Sequence, residues 1–167
     1  MPKPRDLSRD LPAVDLYALL KLYERDFWEA AGSLALLKRY RRSAVRERIL
    51  RDFIVCYCRP FSGNNGKRLR KHRLPVAKVV PTDNRPLHLY LVGVRNQLIA
   101  HTDSARPDPT ITAWDHGDRC QLTMTFWGLS YPQLMARLPE FEALLLAVQA
   151  GLERMVARAE ATLLRLA

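Results

Sequence analysis

The feature that most constrains the fold is a long run of apolar residues spaced alternately four and three positions apart. This spacing places side chains on one face of an α-helix, because successive residues turn by about 100° around the helix axis. We therefore predict a first helix that is capped by Asp15 and ends in the basic run KRYRR. Its apolar stripe consists of Leu16, Leu20, Tyr23, Phe27, Ala30, Leu34 and Leu37.

Three further segments show the same periodicity. A second helix, from about Ser43 to Cys58, should stop before Pro60, whose ring cannot continue the helical hydrogen bonds. A third opens near Pro86, and a fourth is softened at Gly151, because glycine has a low helix propensity. The three stripes are Val45, Ile49, Phe53 and Cys56; then Leu87, Leu91, Val94 and Leu98; then Leu134, Leu138, Phe141, Leu145, Val148, Leu152, Met155 and Ala159.

Between the third and fourth helices the apolar period shortens to two residues. The segments ITAW and RCQLTMTFW flank the glycine turn DHGD, which predicts a two-stranded hairpin from about Ile111 to Trp127. A long loop from Phe61 to Arg85 joins the second and third helices. With 167 residues the chain fits a single domain over positions 1–167. We predict an all-α fold, namely a four-helix bundle with a small β-hairpin inserted before the last helix.

The charge of the chain is strongly positive and unevenly distributed. The formal net charge is +10, the pI is about 10.0, and residues 1–81 hold 19 Lys and Arg against 8 Asp and Glu. Such a surface suits a polyanion, either nucleic acid or an anionic membrane surface. The N-terminus lacks the apolar core of a signal peptide, and no apolar run approaches the roughly 20 residues that span a bilayer. We expect a cytoplasmic protein without a membrane partner.

The predicted long loop contains the most basic stretch of the sequence. SGNNGKR superficially resembles a phosphate-binding loop, but its glycines are too close together and Lys67 is followed by Arg68 instead of Ser or Thr. We expect a basic segment that contacts nucleic-acid phosphates, and a solvated loop without a partner is the alternative. The segment consists of Lys67, Arg68, Arg70, Lys71 and Arg73.

The cysteines predict neither a disulfide framework nor a metal site. Cys56, Cys58 and Cys120 are few and odd in number, and one CxC pair lacks a second pair of ligands for zinc. We expect all three to be buried thiols and predict no metal and no other cofactor.

The third helix carries an unusual polar group in an apolar setting. From Leu87 to Thr102 only Arg95 has a formal charge, so we expect a buried helix whose arginine needs a partner or a task. On an ideal helix Arg95 and His101 point about 120° apart. A shared site then requires the helix to end near Ala100 or a second chain to complete it. The alternative is structural: Arg95 pairs with an acid such as Asp26 or Asp103, and His101 caps the helix.

The stretch RNQLIAH resembles the signature of the HEPN superfamily, in which an arginine and a polar residue precede a histidine near the end of a bundle helix. Here the five residues Asn96 to Ala100 intervene. The resemblance covers the motif and the helical architecture, about residues 13–165. It implies a dimer in which two motifs face each other across a cleft. Such a dimer would cut RNA without a metal ion, in toxin–antitoxin, abortive-infection or RNA-processing roles. Arg95 and His101 would be the catalytic pair, and Asn96 would orient them.

The implied reaction needs few protein groups because RNA carries its own nucleophile in the 2′-hydroxyl. His101 would move protons and Arg95 would stabilise negative charge on the phosphate. We therefore expect RNA, a second copy of the chain and a possible antitoxin or regulatory protein as partners. The alternatives are a non-catalytic module of the same fold that binds nucleic acid or dimerises, and a purely structural interaction protein.

Overall fold

The computed structural model describes residues 11–63, 72–99, 110–125 and 130–166. These residues form a mostly helical chain with one small antiparallel hairpin, which confirms the predicted combination of helices and hairpin. The elements in chain order are α1 (Leu11–Arg39), α2 (Ser43–Cys58), α3 (Val76–Val79), α4 (Arg85–Ile99), β1 (Thr110–Asp115), β2 (Cys120–Thr125), α5 (Tyr131–Ala136) and α6 (Leu138–Leu166), with 3-10 turns at Arg59–Phe61 and Thr82–Asn84.

Helix α1 starts one turn earlier than its apolar stripe predicts. Asp15 lies inside the helix, so the prediction that Asp15 caps it is wrong. The extra turn is possible because Pro12 is the second helical residue, where a missing backbone N–H breaks no helical hydrogen bond. The predicted stripe faces the core from Leu20 to Leu37, whereas Leu16 is exposed. The helix ends at Lys38 and Arg39, as the basic run predicts.

Helix α2 has the predicted bounds, and it joins α1 and α6 around an aromatic core. Pro60 follows it in a 3-10 turn, which confirms proline as the stop. Phe53 packs on Phe141 of α6 with ring centroids 5.7 Å apart, and Tyr57 packs on Phe27 of α1 at 6.0 Å. All four rings are fully buried. The hydrophobic effect on these apolar faces therefore holds the three helices together.

The described part of the predicted long loop is structured. Leu74, Val79 and Val80 are buried, and α3 rests on α6 beside Gly151. The expectation of a loop throughout 61–85 is therefore wrong for this part. A helix of four residues is too short to repeat an apolar period, so the pattern that reveals the long helices does not distinguish α3 from a loop.

The last predicted helix is divided into α5 and α6. The break falls at Arg137, two residues before Pro139. In a continuous helix Pro139 could not donate a hydrogen bond to the carbonyl of Met135, and its ring would clash with that carbonyl. At Gly151 the helix continues without interruption, so the predicted softening there is wrong. None of the described helices is long and apolar enough to cross a membrane.

The hairpin forms where the change of period predicts it. Ala113 of β1 pairs with Leu122 of β2, and Gly117 turns the chain with φ +86°, a conformation that side chains disfavour. The carboxylate of Asp115 accepts the backbone N–H of Gly117 at 2.8 Å. Trp127, the predicted end of the hairpin, lies outside the described residues.

Candidate functional site: an arginine cleft beside helix α4

Helix α4 is packed by one face only. His88, Leu91 and Val94 are buried, whereas Leu89 and Tyr90 on the other face are exposed, so the expectation of a helix buried all round is wrong. The buried Tyr57 hydroxyl of α2 lies 2.9 Å from His88 Nδ1. This contact and the buried Leu91 and Val94 turn the same face of α4 toward the core.

With this rotation Arg95 reaches a cleft of about 410 Å³ between α1, α4 and the chain that follows α2. We call it the arginine cleft, because guanidinium groups from three separate elements line it. Its wall consists of Leu22, Tyr23, Arg25, Asp26, Arg59, Ser62, Gly63 and Arg95.

The carboxylates near the cleft are paired with Arg25 and Arg59. Arg59 Nη1 lies 3.3 Å from Asp26 Oδ1 and 3.3 Å from Glu29 Oε2, and Arg25 Nε lies 3.0 Å from Glu29 Oε1. Burial raises the pKa of Asp26, and the hydrogen bond from Arg59 acts against this rise. The hydrogen bond from Arg25 is the main reason why the pKa of Glu29 is lowered.

Arg95 makes no ion pair with any described residue. The suggested pairing of Arg95 with Asp26 is therefore wrong, since Asp26 pairs with Arg59 instead. The Arg95 Nη1 atom donates to Asn96 Oδ1 at 3.3 Å. Its Nε atom is buried and has no hydrogen-bond partner among the described residues. The other suggested acid, Asp103, lies outside the described residues.

Only part of the predicted catalytic set can be located. Asn96 is exposed and contacts Arg95, next to it in sequence. The described part of α4 ends at Ile99, and His101 lies outside the described residues. The pairing of Arg95 with His101 in one catalytic site therefore stays a prediction.

The basic segment is described at one end. Lys67, Arg68, Arg70 and Lys71 lie outside the described residues, whereas Arg73 is exposed. The Arg73 Nη2 atom lies 3.3 Å from the position that a Cβ on Gly63 would occupy, so Arg73 borders the cleft.

Two residues that the sequence did not predict as site residues, Tyr23 and His72, connect the chain beside Arg73 to the cleft wall. The Tyr23 hydroxyl donates to the backbone carbonyl of His72 at 3.1 Å, and burial raises the pKa of Tyr23. The His72 Nδ1 atom is buried and has no hydrogen-bond partner in the part of the chain that the structure describes.

Two of the three cysteines are buried, as predicted. Burial raises the pKa of Cys58 to about 12 and that of Cys56 to about 11, and the positive charge of Arg95 slightly opposes the rise at Cys58. Cys120 is exposed on the hairpin, so the prediction of three buried thiols is wrong for it. No group of three or more His, Cys, Asp or Glu residues suited to a metal ion occurs within the described residues.

Comparison with known proteins supplies no relative for this arrangement: no family model, no curated protein and no solved structure matches the chain.

Proposed function

We propose that the chain is a metal-independent endoribonuclease of the defence or toxin type, acting in the cytoplasm. Its fold would be a HEPN-like four-helix bundle of α1, α2, α4 and α6. The observation that carries the proposal is the state of Arg95. It lies in an open cleft, without a carboxylate partner among the described residues, and it has a buried Nε atom that lacks an acceptor there. Arg46 and Arg85 also have a buried Nε atom without an acceptor among the described residues, so the position of Arg95 in the cleft, without a carboxylate partner there, carries the proposal.

The reaction would begin with attack of an RNA 2′-oxygen on the adjacent phosphorus. The new O2′–P bond forms while the P–O5′ bond breaks. His101 would take the proton of the 2′-hydroxyl, and a protonated His101 would give one to the departing O5′. Arg95 would stabilise the negative charge on the phosphate oxygens through its planar set of N–H donors. The products are a 2′,3′-cyclic phosphate and a free 5′-hydroxyl.

A second copy of the chain would complete the site. Arg95 and His101 diverge by about 120° on an ideal helix, so pairing two motifs across a twofold axis supplies both groups to one phosphate. It also supplies two histidines, one as base and one as acid. Sedimentation at micromolar concentration tests this step, and a strict monomer would remove its geometric basis. An antitoxin or other regulatory protein stays a possible further partner.

The decisive assay is incubation of the purified protein with total RNA in EDTA. We expect cleavage that leaves 2′,3′-cyclic phosphate ends and that is lost in Arg95→Ala and His101→Ala. The matched control is Arg154→Ala on α6, which removes an exposed arginine outside the cleft wall. Melting curves must show that each variant is folded. A wild type inert on every RNA tried, or variants that lose activity only because they unfold, would contradict the proposal.

The second candidate is a non-catalytic module that binds nucleic acid. The concentration of positive charge in residues 1–81, together with Arg73 at the cleft border, favours it. If it is right, RNA binds without being cut, and the basic segment supplies phosphate contacts. Binding should then weaken for all sequences alike and lose part of its salt dependence when serine replaces Lys67, Arg68, Arg70 and Lys71.

A further inference from the structure

We infer that the arginine cleft binds a backbone phosphate of single-stranded RNA, with Arg25 and Arg59 acting beside Arg95 as phosphate ligands. These two arginines would position the strand without taking part in proton transfer. The inference rests on the proposed function only for the choice of RNA. The phosphate site itself follows from the geometry of the cleft.

The first argument is the number of donors that the cleft leaves unused. A guanidinium group has five N–H donors. Arg25 uses Nε on Glu29, Arg59 uses Nη1 on Asp26 and Glu29, and Arg95 uses Nη1 on Asn96. Within the described residues these are the side-chain hydrogen bonds of the three groups. Within the described residues each arginine therefore has at least one nitrogen without a hydrogen-bond partner, and such planar donors match the oxygens of a phosphate.

The second argument is the balance of charge in the wall. Three arginines and one carboxylate line the cleft. Asp26 is held by Arg59, and the more distant Glu29 is shared between Arg25 and Arg59. Because Arg95 has no carboxylate of its own among the described residues, the wall keeps an excess of positive charge. A phosphodiester, which carries one negative charge, would compensate that excess.

The third argument is the shape and the surroundings of the cleft. A volume of about 410 Å³ exceeds what a phosphate group alone would need, so a sugar or base can enter with it. Leu22 is half exposed and offers an apolar contact at this wall. Arg73 adds a further positive charge beside Gly63, at the border of the cleft. A strand that enters the cleft would therefore meet further positive charge along the same path.

The test measures binding of a fluorescein-labelled, 2′-O-methylated RNA of twelve nucleotides, which cannot be cleaved by 2′-hydroxyl attack. We expect Arg25→Gln and Arg59→Gln each to weaken binding about tenfold at moderate salt, as loss of a charge-assisted hydrogen bond does. Each should also lower the magnitude of the salt slope by about 0.7, the value for one phosphate of a single strand. Arg154→Gln on α6 changes the net charge equally and should stay within about twofold, because exposed charges outside the site contribute little.

A further variant is expected to strengthen RNA binding instead of weakening it. Asp26→Asn removes the carboxylate of the wall and releases Arg59 Nη1, so it should tighten binding about threefold by reducing repulsion of the phosphate. Because the pKa of Asp26 is raised, protonation should likewise tighten wild-type binding as the pH falls toward that pKa. The pH effect should be smaller in Asp26→Asn, in which the Glu29 carboxylate beside Arg59 still becomes protonated at lower pH.

The outcomes separate this inference from the proposed function. If folded Arg25→Gln and Arg59→Gln bind as well as wild type, or no worse than Arg154→Gln, the cleft is not a phosphate site, even if the wild type cleaves RNA. If wild type cuts no RNA but binding shows the expected pattern, the inference stands and the nuclease proposal fails. Equal affinity for DNA of the same sequence would overturn RNA as the preferred ligand. Weaker binding by Asp26→Asn would assign Asp26 to holding Arg59 in place and would contradict the charge argument.

Discussion

The contact between α3 and α6 makes a sharp prediction about Gly151. A Cβ at this position would lie 2.7 Å from Val79 Cα and 2.8 Å from Val79 O, closer than atoms approach without a shift of the backbone. Overpacking of this kind costs about 1–3 kcal/mol. Alanine recovers about 0.5–1 kcal/mol through its higher helix propensity. Because the clash is with backbone, we expect Gly151→Ala to lose about 1–2 kcal/mol in the free energy of unfolding.

Gly32 of α1 provides the matched control. It also lies inside a long helix, but it is exposed, and a Cβ there meets no heavy atom within 4 Å. Gly32→Ala should therefore stabilise the protein by about 0.5–1 kcal/mol through propensity alone. For a chain of this size 1 kcal/mol corresponds to about 2–4 °C in Tm, so thermal melts should show shifts of opposite sign. Equal stabilisation by both substitutions would refute the close approach of α3 to α6.

Two further predictions concern buried groups. Cys56 and Cys58 should resist a thiol reagent in the folded chain because they are buried and their thiols have raised pKa values, whereas the exposed Cys120 should react. Titration with the reagent should count one thiol before denaturation and three after it. Rapid labelling of all three thiols in the native protein would contradict the packing. Burial lowers the pKa of His88 below 6.5, so the unfolded chain binds the proton more readily and stability should be lost as the pH falls below about 6.5. Thermal melts between pH 7.5 and 5 should show this loss of stability. The variant His88→Asn, which keeps a polar atom near Tyr57, should lose less stability over the same pH range. Identical pH profiles of Tm for wild type and variant would contradict the assignment of the loss to His88.

Sequence patterns identified the long helices because each buries one continuous face. The bounds of α2 were predictable since Pro60 ends the helical hydrogen bonds, and the hairpin was predictable since Gly117 occupies a turn conformation that favours glycine. The break before α6 was missed although Pro139 signals it. The apolar period continues across the break, so periodicity alone does not reveal that the helix is interrupted.

Of the residues that line the arginine cleft, only Arg95 was predicted from the sequence as a site residue. Arg95 stood out because it is the only formal charge in an apolar stretch. Arg25 and Arg59 did not stand out, since each is one of many arginines in the basic first half of the chain. They belong to the cleft because α1 and the end of α2 meet α4, and no local pattern encodes that meeting.

The position of the cleft follows from where α2 ends. Tyr57 contacts His88, and one residue later the Cys58 thiol lies 3.7 Å from the carbonyl oxygen of Leu91. Arg95 follows His88 by seven residues, almost two full turns, so it lies on the same side of α4 and about 10 Å further along its axis. At that level α2 has already been stopped by Pro60, so among the described residues α1 and the turn after α2 form the walls of the cleft on this side of α4. The proline that ends α2 thus removes the apolar cover above Arg95 and leaves a cleft that a guanidinium group can occupy without being sealed in the core.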